Sequence, residues 1–252
     1  MWQYMRWLAE EAEADRSARI VMQKCEPGNI AVCERTLNES HVKELKKKAS
    51  ALHMTPFWIF AAAWMRAIKR WNVEQAGEKN SLISLEVPVS LRGNHSTDRC
   101  IGNFISPLIL FGDAEHPLIR LAGSLRQQFF NGIKNRSHLG VPLFTSPGKY
   151  LPWSFFRRVA VNSKASGFAT SHFTWLEEKK DLHSEMLKHS KETLKMEGHH
   201  IYGTVCLHMG AALFVHAVPK QFNIFITHRL NALSSNAASR LAELLLSELR
   251  IH

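Results

Sequence analysis

The sequence has few of the patterns that identify a metal or redox site. Its 252 residues include four cysteines, Cys25, Cys33, Cys100 and Cys206, and no two of them form a Cys-x-x-Cys pair. A zinc site or a redox dithiol is therefore not indicated, because both need paired ligands at short spacing. We expect the cysteines to be buried thiols in a reducing, cytoplasmic compartment, and we expect no bound metal.

Long apolar runs and the common phosphate-binding and hydrolase motifs are also missing. The most apolar stretch, residues 57–65, is far shorter than the ~18 residues that a membrane span needs. The first 20 residues are amphipathic and charged, unlike the basic head and apolar run of a secretory signal. No Gly-rich phosphate loop and no Gly-x-Ser-x-Gly motif occurs. The sequence therefore predicts neither a membrane span nor a secretory signal.

Acidic residues are outnumbered by basic ones. Lys and Arg total 32 and Asp and Glu total 22, which gives a formal charge of +10. Such a chain favours acidic partners, namely phosphates, nucleic acid or an acidic carrier protein. Arg-Gly runs, zinc-finger spacings and the aromatic motifs of RNA-binding domains are absent. A solvated basic face is the favoured interpretation, and no specific nucleic-acid partner is expected.

The hydrophobic pattern predicts an α/β fold. Hydrophobic residues make up 45% of the chain, which is enough for a sizeable core. Asn38 and the pair Thr55-Pro56 are typical helix starts. Helices are predicted over residues 2–18, 38–53, 55–71, 116–135 and 234–251, and strands over 30–37, 81–91, 102–111, 164–176, 202–207, 211–218 and 222–228. Because the two kinds of element are interspersed, we predict one mixed sheet with helices packed on it.

The most informative stretch is residues 81–111. It reads as two apolar strands that bracket a polar, turn-forming loop. Its segments V-P-V-S-L-R and I-G-N-F-I-S-P-L resemble the C-terminal lobe of the condensation-domain-like acyltransferases. That superfamily includes the condensation domains of nonribosomal peptide synthetases, wax ester synthases, BAHD-type plant acyltransferases and chloramphenicol acetyltransferase. Arg92, Gly102, Asn103 and Phe104 match the family pattern of a strand ending in Arg, a loop, and a Gly-Asn or Gly-x-Phe start of the next strand.

The resemblance implies a fold, a domain division and a set of channel residues. It implies the two-layer α/β sandwich of chloramphenicol acetyltransferase, with residues 1–252 as a single lobe and residues 1–28 as a leading helix and linker. Near residue 171 the family carries a Ser-Asn-x-Gly-like element that lines the active-site channel, and Ser171-His172 stands there without the Asn or Gly. The resemblance implies that seven residues line or support this channel, namely Arg92, Gly102, Asn103, Phe104, Ser106, Ser171 and His172.

The resemblance also implies where a catalytic base belongs. The family motif is His-His-x-x-x-Asp-Gly, whose second His takes a proton from the acceptor. The pair His199-His200 is followed by Ile-Tyr-Gly, so the Asp and Gly are missing. His228 ends an apolar strand, precedes a loop and a helix, and aligns with the second His, with Thr227 in place of the first. His228 is therefore the candidate base, and a non-catalytic histidine at a strand end is the alternative.

Three functional hypotheses remain open at this point. In the first, the chain is the C-terminal lobe of an acyl- or aminoacyl-transferase whose catalytic His motif is not on this chain but on a missing N-terminal lobe or another chain. In the second, it is a single-lobe, homo-oligomeric (trimeric) enzyme that resembles chloramphenicol acetyltransferase and uses His228. The third hypothesis is a non-catalytic binding or scaffold relative. For the enzyme hypotheses, the resemblance implies a thioester donor, either acyl-coenzyme A or a pantetheine-bearing acyl carrier protein, and a small-molecule amine or hydroxyl acceptor. No cofactor is expected to be bound permanently.

Overall fold

A computed structural model of the protein describes residues 16–23, 29–91, 105–140, 169–177 and 209–250, together with Pro152 and Ser154. Over these residues the chain forms six β-strands, four α-helices and one short 3-10 turn. In chain order they are β1 (Ile30–Leu37), α1 (Glu39–Ala51), α2 (Pro56–Ala76), β2 (Leu82–Ser90), β3 (Ile105–Asp113), α3 (Leu118–Lys134), the turn Ser137–Leu139, β4 (Ser171–Glu177), β5 (Ala211–Val218), β6 (Gln221–Arg229) and α4 (Ser235–Leu249).

The strands form one mixed sheet in the order β1-β6-β5-β4-β2-β3. Neighbours pair antiparallel at β1–β6, β6–β5 and β2–β3, and parallel at β5–β4 and β4–β2. The predicted α/β class with a mixed sheet is confirmed. The strand β4 lies in the middle and joins an antiparallel pair at one side to an antiparallel group of three at the other.

The four helices of the described chain pack on one face of the sheet. Their buried residues share one core with alternate residues of the strands, such as Leu85 in β2 and Leu213 in β5. The contact is closest at Gly112 in β3, where a Cβ atom would lie 2.5 Å from Leu121 of α3 and 2.6 Å from Met65 of α2. A larger residue at this position would force the Leu121 and Met65 side chains to move, so the glycine lets both helices pack directly on the strand. The result is two layers, a sheet and a layer of helices.

The helix starts follow the local sequence. Asn38 caps α1, and its side-chain oxygen accepts a hydrogen bond from the N–H of His41 at 3.2 Å. Pro56 occupies the first turn of α2, as expected, although Thr55 makes no side-chain cap bond there. Ser234 caps α4 by accepting from the N–H of Ala237. These caps agree with the predicted helix starts within one or two residues.

Residues 16–23 form an irregular segment that is hydrogen-bonded to β2, to α2 and to the turn before α4. The N–H of Ala18 donates to the carbonyl of Leu82 at 2.8 Å, and the N–H of Gln23 donates to the carbonyl of Ala232 at 2.8 Å. The predicted helix does not extend over residues 16–18, because backbone groups of this segment are used in tertiary hydrogen bonds, and the linker up to residue 28 stays a prediction. The division into one lobe at residues 1–252 stays a prediction.

Other predicted elements are shifted or lie outside the described residues. The strand predicted at 102–111 is observed at Ile105–Asp113, and the one predicted at 164–176 is observed at Ser171–Glu177. The predicted helix over 2–15, the strand at 202–207 and the loop at 93–99 fall outside the described ranges.

Candidate functional site

The face of the sheet that the described helices leave uncovered carries a separate set of side chains, and we call it the second face. Strand alternation places Glu86, His172, Thr174, Phe214 and Phe225 on it. Apolar residues of this face form a small buried cluster of their own, distinct from the main core. The second face is therefore partly apolar and contains a few polar groups.

Three of these polar side chains lie in a row, and we call them the Glu86–His172–Thr174 row. β2 and β4 run parallel, and Glu86 is paired directly with His172 in their register. Nδ1 of His172 lies 3.4 Å from Oε1 of Glu86, and Nε2 of His172 lies 2.6 Å from Oγ1 of Thr174. Glu86 and His172 each keep 20% of their side-chain surface exposed. The row is therefore partly exposed to solvent.

Buried hydroxyl groups fix the register that creates this row. The N–H of Ser84 donates to Oγ1 of Thr170 at 3.1 Å, and the N–H of Thr170 donates to Oγ of Ser84 at 3.0 Å. The hydroxyl of Thr170 also donates to the carbonyl of Ala18 at 2.6 Å. Because these groups are buried, a register slip would leave them unpaired at a cost of about 1–3 kcal/mol each. The start of β4 is thus held where His172 faces Glu86.

The order of groups in the row has a chemical consequence. A carboxylate beside Nδ1 favours a proton on that nitrogen and leaves a lone pair on Nε2. We therefore assign the hydroxyl of Thr174 as the donor and Nε2 as the acceptor. The ring of His172 also packs against Phe214, with the ring centroids 5.6 Å apart, which restricts its rotation. In this arrangement the imidazole can take up the proton of the hydroxyl, while the carboxylate orients the imidazole.

His228 has a different environment, on the face that the helices cover. It is 1% exposed, and its Nδ1 lies 3.0 Å from the carbonyl oxygen of Leu233. Burial lowers the pKa of His228 below its ordinary value, and the contact with Leu233 opposes this shift. A general base must contact its substrate, and a ring so deeply buried makes no such contact in this conformation. The structure therefore shows His228 as a buried side chain in this conformation, and its role as a base stays a prediction.

Ser171 and Ser106 were expected at the channel, and both lie on the helix-covered face. Each is 0% exposed. Ser171 accepts a hydrogen bond from Nε1 of Trp64 at 2.9 Å and donates to the carbonyl of Ala211 at 2.7 Å. These contacts give Ser171 a structural role between α2 and the sheet. Its neighbour His172 points to the second face, so only one residue of the predicted pair is accessible.

Four other residues expected at the channel, Arg92, Gly102, Asn103 and Phe104, lie outside the described residues, and their roles stay predictions. The pair His199-His200 lies outside them as well. Within the described ranges, no group of three or more His, Cys, Asp or Glu side chains is arranged to hold a metal ion. The helices of the same ranges include none that is long and apolar enough to cross a membrane.

A cavity of about 520 Å³ lies on the helix-covered side, apart from His172. It opens between α1, the start of α2 and the ends of β4 and β5. Its walls include Phe57, Trp175 and Phe222, and the centroids of the last two rings are 5.2 Å apart. Lys46 lies with its Nζ 5.7 Å from the centroid of Phe222, and Glu177 contributes a carboxylate. These walls suit the binding of an apolar group.

Solved structures share this architecture. The X-domain from teicoplanin biosynthesis matches 98% of the chain with a TM-score of 0.66 and 12% identity, and the match covers 53% of that domain. The PapA2 acyl transferase matches 98% of the chain, with a TM-score of 0.63, 13% identity and 51% of its own length covered. The cyclization-docking bidomain of the EpoB nonribosomal peptide synthetase from Sorangium cellulosum matches 98% of the chain with a TM-score of 0.62 and 13% identity. The match covers 48% of that bidomain. The chain has the fold of the condensation-domain-like acyltransferases.

The predicted resemblance is thereby confirmed at the level of the condensation-like fold. The chain spans about half the length of these proteins. No protein-family model and no curated protein matches the sequence. Because the sequence identities are only 12–13%, the likeness establishes the condensation-like fold alone and does not identify substrates.

Sequence reasoning found His172 but not its partners Glu86 and Thr174. Thr174 could have been found from strand alternation, since it lies two residues after His172 in a strand and so shares its face. The contact with Glu86 depends on the parallel register of β2 and β4. That register is set by distant residues, and no local pattern predicts it.

Proposed function

We propose that the chain is the C-terminal lobe of a condensation-like acyl- or aminoacyl-transferase. In this proposal the acyl donor is a thioester, carried by coenzyme A or by the pantetheine arm of a carrier protein, and the acceptor is a small amine or alcohol. The observation that carries the proposal is that 98% of the chain matches about half the length of the PapA2 acyl transferase and of the EpoB cyclization-docking bidomain.

A second lobe supplies the catalytic histidine in this proposal. The sequence has no complete His-His-x-x-x-Asp-Gly motif, and His228, the candidate in its place, is buried. The second face supports the idea of a partner lobe, since exposed apolar side chains lie on it at both edges of the sheet. These are Ile30 and Val32 in β1, at 49% and 39% exposure, and Ile105 in β3, at 59%. A lobe docked there would bury them and would form a channel above His172.

The charge of the chain favours the same donor class. A formal charge of +10 attracts the phosphates of coenzyme A or of phosphopantetheine, and an acidic carrier protein as well. A cytoplasmic location, where such thioesters are made and used, is part of the proposal. It agrees with the one described cysteine, Cys33, which is a buried free thiol.

The proposal is tested by adding the missing lobe. The chain is purified alone and together with a lobe that carries the full histidine motif, ideally the product of a neighbouring reading frame. Transfer from acyl-coenzyme A, or from an acyl carrier protein, to an amine or alcohol is then measured. We expect the two chains to bind and transfer to occur only in the mixture, with loss of transfer when the motif histidine becomes Ala.

Two results would contradict this proposal. Binding without transfer would favour a scaffold protein. Transfer by the chain alone that His228→Ala abolishes would favour the single-lobe enzyme, and size-exclusion chromatography would then show an oligomer.

A further inference from the structure

The proposed function leaves the Glu86–His172–Thr174 row unassigned, because it takes its general base from another lobe. We propose that Thr174 is a nucleophile that accepts an acyl group as an ester, with His172 as its base and Glu86 as the residue that orients this base. The acyl donor class, a thioester, rests on the proposed function. The nucleophile itself rests on the geometry of the row.

The distances match an activated hydroxyl. Thr174 Oγ1 and His172 Nε2 are 2.6 Å apart, which is within the range for a nucleophile and its base. Glu86 Oε1 lies 3.4 Å from the other ring nitrogen and favours the tautomer that leaves Nε2 free to accept. All three groups stand on neighbouring strands of one sheet. A sheet holds such groups more rigidly than a loop does.

The row differs from the polar groups of this protein that have a structural role. Thr170 donates to a backbone carbonyl and accepts from a backbone N–H, and Ser171 bonds Trp64 and a backbone carbonyl in the interior. In the part of the chain that the structure describes, His172 contacts Glu86 through one ring nitrogen and Thr174 through the other, and these side chains hydrogen-bond no backbone group. Among the described residues the row therefore satisfies no buried backbone atom, and Glu86 and His172 each keep 20% of their side-chain surface exposed.

The chemical step needs no further reactant. The Thr174 hydroxyl oxygen attacks the carbonyl carbon of the thioester while its proton passes to Nε2 of His172. The new carbon–oxygen bond forms, the carbon–sulfur bond breaks, and the leaving thiolate takes the proton from the imidazolium. The products are an ester on Thr174 and a free thiol, and the row returns to its starting protonation state.

The experiment follows acetylation of the full chain. The protein is incubated with p-nitrophenyl acetate or with acetyl-coenzyme A, and peptide mass spectrometry locates and quantifies the acetyl group at Thr174 over time. Thr174→Val removes the hydroxyl but keeps the shape, and Thr174→Ser keeps a hydroxyl. His172→Gln and Glu86→Gln test the base and its orientation. The matched control is Thr36→Val, the same substitution on the second face in β1.

We expect acetylated Thr174 in the wild type and in Thr36→Val, an acetylated residue 174 in Thr174→Ser, and none in Thr174→Val. His172→Gln should slow acetylation at Thr174 by about 10²-fold or more, the usual contribution of a general base. Glu86→Gln should slow it by a smaller factor. Circular dichroism shows whether each variant is folded, and the rate at Thr174 in Glu86→Gln tests the row even where His172→Gln fails to fold.

The proposal is overturned by the absence of acetyl on Thr174, or by a rate at Thr174 that a folded His172→Gln leaves unchanged. Acetylation by p-nitrophenyl acetate alone supports the nucleophile but counts against a coenzyme A thioester donor. Acetylation by both probes supports the nucleophile and the donor class. Neither result requires a second lobe, so this test and the test of the proposed function can fail independently.

Discussion

Replacing Asn72 by Ala tests how residues 16–23 are held on the fold. Asn72 lies in α2 and is 0% exposed. Its Oδ1 accepts from the N–H of Val21 at 2.9 Å, and its Nδ2 donates to the carbonyl of Arg19 at 2.8 Å. Asn72→Ala removes the partner of two backbone groups, each of which costs about 1–3 kcal/mol when left unsatisfied. Since both groups are only partly buried, we expect a loss near the lower end, about 2–4 kcal/mol.

The assay is thermal and urea unfolding followed by circular dichroism. For a chain of this size 1 kcal/mol corresponds to roughly 2–4 °C, so the melting temperature should fall by about 5–15 °C. Asn80→Ala is the matched control, because Asn80 also bridges two backbone groups, the carbonyl of Arg16 at 2.9 Å and the N–H of Leu82 at 3.0 Å, but does so in an exposed position.

Water replaces the exposed amide of Asn80, so that control should lose less than about 1 kcal/mol. Equal losses in the two variants would refute the argument that burial determines the cost. A loss below about 0.5 kcal/mol in Asn72→Ala would show that the segment is not held by this amide.

Three further predictions concern a buried histidine, an ion pair and a buried hydroxyl. Burial lowers the pKa of His228 in the folded chain. Below a pH of about 6.5 the unfolded chain therefore binds a proton at this histidine that the folded chain does not bind, and the free energy of unfolding falls as the pH falls. His228→Gln should flatten this slope between about pH 8 and pH 5 in urea titrations, and an unchanged slope would contradict the assignment. Glu248→Ala should lower the free energy of unfolding by about 2 kcal/mol, because the Glu248 carboxylate accepts hydrogen bonds from two arginines of α2 and its side chain is only 10% exposed. Glu243→Ala is the control: Glu243 is exposed, so its replacement should change the free energy of unfolding by no more than about 0.5 kcal/mol in urea unfolding. Ser171→Ala should cost about 1–3 kcal/mol in thermal unfolding, since Nε1 of Trp64 loses its acceptor, and a neutral result would argue against a structural role for Ser171.

The elements of this fold could be predicted where the signal is local. Asn38, Pro56 and Ser234 mark helix starts through bonds or backbone angles that involve only the next few residues, and the helices begin there. The strands β1, β5 and β6 were also predicted within one residue at each end. Residues 16–23 were missed, because an irregular segment held by a distant Asn side chain has no periodic pattern of its own.

The candidate site could be predicted only in part for the same reason. His172 was singled out by resemblance, but Glu86 reaches it through a register that the hydroxyls of Ser84 and Thr170 hold in place. His228 shows the opposite case, since its position at a strand end fitted both a base and a packed side chain. Its burial depends on how α4 and the turn before it cover the end of β6, which the local pattern does not specify.

The pairing of β1 with β6 also constrains how this sheet assembles during synthesis. Within the described sheet, the strand from Ile30 to Leu37 pairs with β6 alone, and its partners from Phe222 to Arg229 lie far along the chain. On the ribosome, β1 therefore cannot form this pairing until β6 has emerged, and contacts so distant in sequence form slowly. An edge with apolar residues such as Val32 invites pairing with other chains. A ribosome that pauses before residue 221 would thus present β1 without its partner strand.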